Sequence, residues 1–177
     1  MIEWAYFPRN KRVTPLGKEV VDAFKAVSNT IDSAKNNHLI SRSFKDASSD
    51  AVLNHVRTGL VGIGFEVETG RRATQTIPIP VLFDRDGKTS RSFYADAYHA
   101  KEGFVLEVEA GRAMRNYHVL KDLFEACVMV DAKYLAIALR RVYKTWKDFD
   151  DCYVLFDTLY VSERLKLPLE GVLLIGY

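Results

Sequence analysis

The sequence predicts a single mixed α/β domain, a central β-sheet of mixed direction flanked by helices, with core elements in the order α-βββ-α-β. Three observations predict it. Apolar residues recur at helical spacing before and after the middle of the chain. In the middle, short stretches alternate apolar and polar residues with period two, and turn residues separate them. Further on, KYLAIALRRVY (133–143) contains an almost unbroken apolar run, as a strand covered on both faces requires.

Each element has a local reason. Thr14-Pro15 reads as an N-cap followed by proline in the first turn. Leu16, Val20, Phe24, Val27 and Ile31 then fall on one face of a helix reaching about Ala34. Residues 35–48 are polar and loop-like. Ser49-Asp50 caps a second helix whose apolar face carries Val52, Leu53, Val56 and Leu60, and Gly62 and Gly64 end it. GFEVET (64–69) alternates as a strand. IPIPVLF (77–83) is extended, and its two prolines suit a sheet edge. Asp86-Gly87 is a turn, residues 91–99 form one strand, and KEG (101–103) turns the chain into a partner strand at 104–110. A helix from about Arg112 to Val130 is expected to bury Ala113, Tyr117, Leu120, Phe124 and Cys127. After the central strand come YVLF (153–156), a short helix near 157–165 and a last extended piece, LEGVLLIGY.

The length, 177 residues, with 48% hydrophobic and 12% aromatic residues, suits one domain over 1–177. Its core spans about 48–140, with the helix at 15–34 and the segment 150–177 as additions. No apolar run approaches the roughly 18 residues of a membrane span, and MIEWAYFPRNKRV lacks a basic-then-apolar signal pattern. Cys127 and Cys152 are the only cysteines, and neither lies in a CxxC pair. That predicts a reducing, cytoplasmic setting and argues against a disulfide framework or zinc knuckle. Net charge is only +2, yet basic residues cluster at 9–12, 71–72 and 140–147. Arg140, Arg141, Lys144 and Lys147 follow the central strand at near-helical spacing and are candidates for phosphate contacts. Ordinary solvated surface is the plain alternative.

The stretch FYADAYHAKEGFVLEVEAGRA (93–113) carries charge where two strands should be half buried. Glu107 and Glu109 are two apart and share a face, while Leu106 and Val108 take the other. Tyr94, Asp96 and Tyr98 share a face of the neighbouring strand. Hairpin pairing can therefore bring Asp96 beside both glutamates. A bare cluster repels itself, and a hard dication relieves that repulsion. Oxygen-only donors suit Mg²⁺ or Mn²⁺, and Mg²⁺ keeps positions for water and phosphate. The plain alternative is that FVLEVEA simply turns its glutamates to solvent. Aspartate in an aromatic-rich strand weighs against that, because strands disfavour it.

A helix, a strand hairpin bearing D…ExE, then a helix and a strand resemble the core of the PD-(D/E)xK nuclease superfamily. The pattern is most similar to restriction endonucleases of the BamHI and BglII kind. The match lies in ADAYHAKEGFVLEVEAGRA, and element order agrees over about residues 48–140. The resemblance implies a restriction-endonuclease-like fold and a Mg²⁺-dependent endonuclease that hydrolyses DNA. Asp96 and Glu107 would hold the metal together with the backbone carbonyl of Val108. Glu109 would stand in the place of the motif lysine and position the attacking water. An acidic residue from the preceding elements would be Glu66 or Glu68, with Glu66 favoured as nearer the helix end. The family's habit implies a homodimer, with the helices at 15–34 and 112–130 as possible dimer surfaces. Specificity would come from loops at 35–48 and 70–76. Two departures stand out. Ala95 replaces the motif proline and Glu109 the lysine, for which Arg112 and Lys101 are replacements by sequence proximity. A non-catalytic nucleic-acid-binding or assembly protein that kept the fold is the alternative from another class.

Other chemistry is poorly supported. His38, His55, His99 and His118 lack zinc-like spacing. GIGFE lacks the rest of a dinucleotide fingerprint, and GKTS (87–90) lacks the upstream glycine and following helix of a phosphate loop.

Overall fold

The computed structural model describes residues 2–28, 49–111, 113–114, 117–143 and 145–177. The segment 35–48, His38, the predicted continuation of the first helix to 34, Arg112 and Lys144 lie outside the described residues. Strand β1 (Glu3–Phe7) opens the chain and is followed by helices α1 (Pro15–Ala26) and α2 (Ser49–Gly62). Then come β2 (Glu66–Val67), β3 (Ile77–Phe83), β4 (Thr89–Ala95), β5 (Ala97–His99) and β6 (Phe104–Glu109). Helix α3 (His118–Val128), β7 (Tyr134–Leu139), α4 (Asp148–Ser162) and β8 (Gly171–Gly176) complete it.

Six strands form one sheet in the order β1-β8-β7-β6-β5-β2, and β3 and β4 form a separate antiparallel pair. β6, β7 and β8 run parallel, which the intervening helices α3 and α4 permit. β5 and β6 pair antiparallel, Ala97 opposite Leu106 and His99 opposite Phe104, as the hairpin reading requires. The class is thus mixed α/β with a mixed sheet, as the sequence predicts. No helix among the described residues is long and apolar enough to cross a membrane.

Side-chain alternation sorts the core into two layers. Leu106, Val108, Ala136, Ala138, Leu173 and Ile175 point to one face and pack with Val20, Val21 and Phe24 of α1 and Val52, Leu53, Val56 and Leu60 of α2. Val105, Leu135, Ile137, Leu139, Val172 and Leu174 point to the other and pack with α3, α4 and the inner end of β3. β7 is buried on both faces, which explains its unbroken apolar run. α1 starts as expected: the Thr14 hydroxyl accepts the Gly17 N–H at 3.0 Å, and Pro15 needs no partner for an N–H. At Gly103 the backbone has φ +62°, and its carbonyl accepts the N–H groups of Lys133 and Tyr134. A Cβ there would meet the Asp131 carbonyl, so glycine alone lets the β5–β6 turn lie against the entry to β7.

Four expectations change. The stretch 91–99 is two strands, broken at Asp96, where the chain leaves the β3–β4 pair and joins the main sheet. The helix predicted from Arg112 starts at His118, and its buried residues are Val119, Asp122, Leu123 and Ala126. Tyr117 and Phe124, expected inside, are 69% and 59% exposed. The short helix expected near 157–165 is a 15-residue helix that begins at Asp148 and takes in YVLF, with Asp148, Asp150 and Asp151 in its first turn complementing the helix dipole. EWAYF, not foreseen as a strand, pairs antiparallel with β8 from Val172 to Gly176.

Candidate metal centre

Glu107 and Glu109 continue the face of Val105, so both carboxylates project toward α3. Asp96 occupies the break between β4 and β5, between two buried alanines, Ala95 and Ala97. The N–H of Val108 donates to Asp96 Oδ2 at 2.7 Å, which fixes the carboxylate beside the strand that bears both glutamates. Burial pushes the Asp96 carboxyl up to about 7. The Val108 N–H works the other way, and the negative charges of Glu68, Glu109 and Asp50 add to the rise. Glu107 is held well above the usual carboxylate range by burial, then by Asp96 and Asp122, with Lys121 opposing. Asp96 thus acts on Glu107, and Glu109 on Asp96, through the charges they carry.

Glu109 has two further ties. Its Oε2 lies 3.1 Å from Nδ1 of His118, the first residue of α3. Its carbonyl accepts the hydroxyl of the buried Tyr177 at 2.9 Å. The preference for Glu66 over Glu68 is not the arrangement found. Glu66 pairs with Tyr98 and is exposed, whereas the Glu68 N–H donates to the Asp96 carbonyl at 2.9 Å. The register, with Val67 opposite Ala97, puts Glu68 rather than Glu66 next to Asp96, and Arg57 holds the Glu68 carbonyl at 2.7 Å. Burial and Asp50 raise the Glu68 carboxyl.

Helix α3 brings residues that the sequence reading missed. Lys121 Nζ lies 3.0 Å from Glu125 Oε2 and 3.7 Å from Asp122 Oδ1. Lys121 is partly desolvated, which alone would lower it, but Glu125, Asp122 and Glu107 outweigh this and raise its ammonium. Asp122 is only 5% exposed, and burial together with Glu109 raises its carboxyl. The signal was in the chain: Val119, Asp122, Leu123 and Ala126 stand at i, i+3, i+4 and i+7. It becomes legible only once the helix is started at His118.

No family model, curated protein or solved structure matches the chain.

Of the expected phosphate contacts, Arg140 and Arg141 directly follow Leu139, which pairs with Glu109. Their roles differ from the expectation. Arg140 is 8% exposed, with its guanidinium 5.8 Å from the Tyr143 ring centre. Arg141 is bonded to Glu3 of β1. Lys147 is well exposed, 3.8 Å from Asp150. Lys101, suggested as the replacement cation, sits in the turn at the opposite end of β6. There it lines a cavity with His99, Glu102 and Tyr134. Among the described residues, no three His, Cys, Asp or Glu side chains close into a chelating group. The donor chemistry nonetheless fits a hard dication. All donors are oxygens, their charges repel, and one buried oxygen, Asp122 Oδ2, has no hydrogen-bond partner.

Proposed function

We propose that the chain is a Mg²⁺-dependent endonuclease that hydrolyses DNA phosphodiesters, with a restriction-endonuclease-like arrangement of its site. The observation that carries this is Asp96, clamped by the Val108 N–H beside the strand that bears Glu107 and Glu109, with both Asp96 and Glu107 pushed upward by burial and by neighbouring acids. Such a cluster is costly without a compensating cation and suited to one. Asp96, Glu107 and the Val108 carbonyl are the residues that would hold Mg²⁺ or Mn²⁺. When bound, the ion supplies an acidified water and neutralises charge on the phosphate. Glu109 fixes the imidazole of His118, which leaves Nε2 to orient the attacking water and take its proton. Lys121 supplies, from α3, the positive charge that the lysine of the sequence motif would have supplied from β6. Lys147 faces the DNA backbone at the same end of the sheet. Two copies of the chain acting together would cut both strands.

Plasmid cleavage in Mg²⁺ or Mn²⁺ tests this directly. The wild type nicks or linearises the plasmid, and Glu107→Gln lowers the rate by at least about a hundredfold, as loss of a group acting on the developing charge should. Undiminished cutting by Glu107→Gln removes the site assignment. DNA binding without cutting in either metal favours the rival, a nucleic-acid-binding protein with a non-catalytic nuclease fold.

A further inference from the structure

The basic cluster RNKR (9–12) plays no part in the carboxylate site. It follows β1, whose last residue, Phe7, pairs with Val172 near the start of β8, whereas Glu107 and Glu109 stand at the far end of the parallel strands. β1 is also an edge: β8 is its one strand partner among the described residues. A groove of about 540 Å³ lies against that edge. Arg9, Lys11 and Arg12 line it together with Trp4, Tyr6 and Tyr153, and no carboxylate does.

Ordinary solvated surface would explain three cations but not their setting. Trp4 is 38% exposed, where tryptophan is usually well buried. By alternation Trp4 and Tyr6 take the α1–α2 face of the sheet, and Tyr153 comes from α4 on the other face. Rings thus flank the open edge from both sides. Asp157 is engaged by Arg9 at 2.7 Å, and the Glu170 carboxylate by the Tyr134 hydroxyl at 2.7 Å. Lys11 Nζ donates to a neutral acceptor, the Glu170 carbonyl, at 3.2 Å, a bond that leaves its charge in place. Arg12 is exposed. A concave surface with cations, ring faces and no lining acid suits an unpaired nucleic-acid strand. Duplex DNA would answer the cations alone, because its bases are stacked inside and offer the rings nothing.

We infer that this edge groove is a second DNA-binding site, which holds a single strand: Trp4 stacks on a base, and Lys11 and Arg12 take the flanking phosphates. That the polymer is DNA rests on the nuclease reading above; that part of it is unpaired goes beyond that reading. In the sheet order β1-β8-β7-β6 the groove lies three strands from the one that bears the glutamates, about 14 Å at a spacing of ~4.8 Å. A strand held there is a few nucleotides from the cleavage point, so the preferred substrate carries a single-stranded arm beside the duplex that is cut.

Fluorescence anisotropy in EDTA, with a labelled short oligonucleotide either single-stranded or annealed to its complement, tests the inference. The single strand binds at least about tenfold more tightly than the duplex. Trp4→Ala lowers single-strand affinity at least about fivefold, and Trp4→Phe restores most of it. An abasic oligonucleotide of equal charge binds the wild type as weakly as the intact one binds Trp4→Ala. A tryptophan that only packs would shift the melting temperature and leave the abasic and intact strands bound alike. Lys11→Gln with Arg12→Gln, both at exposed positions, reduces the slope of log affinity against log salt by about 1.4, at roughly 0.7 per phosphate contact. No single-strand binding, equal affinity for the two forms, or an affinity untouched by Trp4→Ala and by the double variant overturns the inference; plasmid cutting by the same wild type leaves the nuclease reading standing. Single-strand binding with these signatures by a chain that cuts nothing in Mg²⁺ or Mn²⁺ upholds the groove and removes the nuclease reading instead.

Discussion

Asp96 shows how a single residue couples the site to stability. Its carboxyl is raised from the ordinary aspartate value to about 7 by burial and by neighbouring acids. Between roughly pH 4 and 7 the folded chain therefore binds a proton that the unfolded chain has released. More protons on the folded state mean that stability falls as pH rises through this window. Glu107 and Asp122, raised for the same reason, extend the fall upward. In EDTA the melting temperature should drop by several degrees between pH 5 and 8, and Asp96→Asn should flatten much of that drop. Saturating Mg²⁺ should do the same for the wild type, because the cation takes over the work of the proton. A calorimetric pH series with and without metal checks all three. At this scale the sequence was informative: Asp96, Glu107 and Glu109 stood out because charge interrupts strands that should be half buried. Glu68 was harder to choose over Glu66, since both alternate to the same face and only the register against Asp96 separates them.

At the scale of elements, periodicity is reliable only when the start is right. Reading α3 from Arg112 puts Phe124 inside, whereas its start at His118 puts Leu123 inside and Phe124 out. The phase of this helix can be measured. Leu123→Ala should cost about 2–5 kcal/mol, as truncation of a buried leucine does, and Phe124→Ser less than about 0.5 kcal/mol, as for other exposed positions. Urea unfolding of the two variants decides between the phases. The same shift of start hides Asp122 and Lys121, so that the sequence alone shows only the strand-borne acids. The break at Asp96 was illegible for another reason. Alternation from Tyr94 to Tyr98 runs straight through it, and nothing local says that the two halves belong to different sheets.

The whole molecule is ordered around β7. It is flanked by parallel partners and covered on both faces, so opening it requires dismantling both core layers. Amides of Leu135–Leu139 should exchange with solvent at the rate of global unfolding, and those of the outer β3–β4 pair much faster. Hydrogen exchange read by mass spectrometry distinguishes the two. The central strand was legible because burial on both faces leaves a composition that little else produces. β1 and the β8 pairing were not, because five residues of EWAYF carry too little pattern to reveal a partner more than 160 positions away.

The β3–β4 ribbon has a consequence of its own. Its root is anchored, with Ile77, Ile79 and Ala95 buried, while Leu82, Phe83 and the turn at Asp84–Lys88 stand clear of the body. That turn is stiffened by Asp84, whose Oδ1 accepts the N–H groups of Asp86 and Lys88. The next residue beyond the root is Asp96 itself. Whatever grips the far end of this arm therefore has leverage on the carboxylate through a single stretch of backbone, without having to deform the interior.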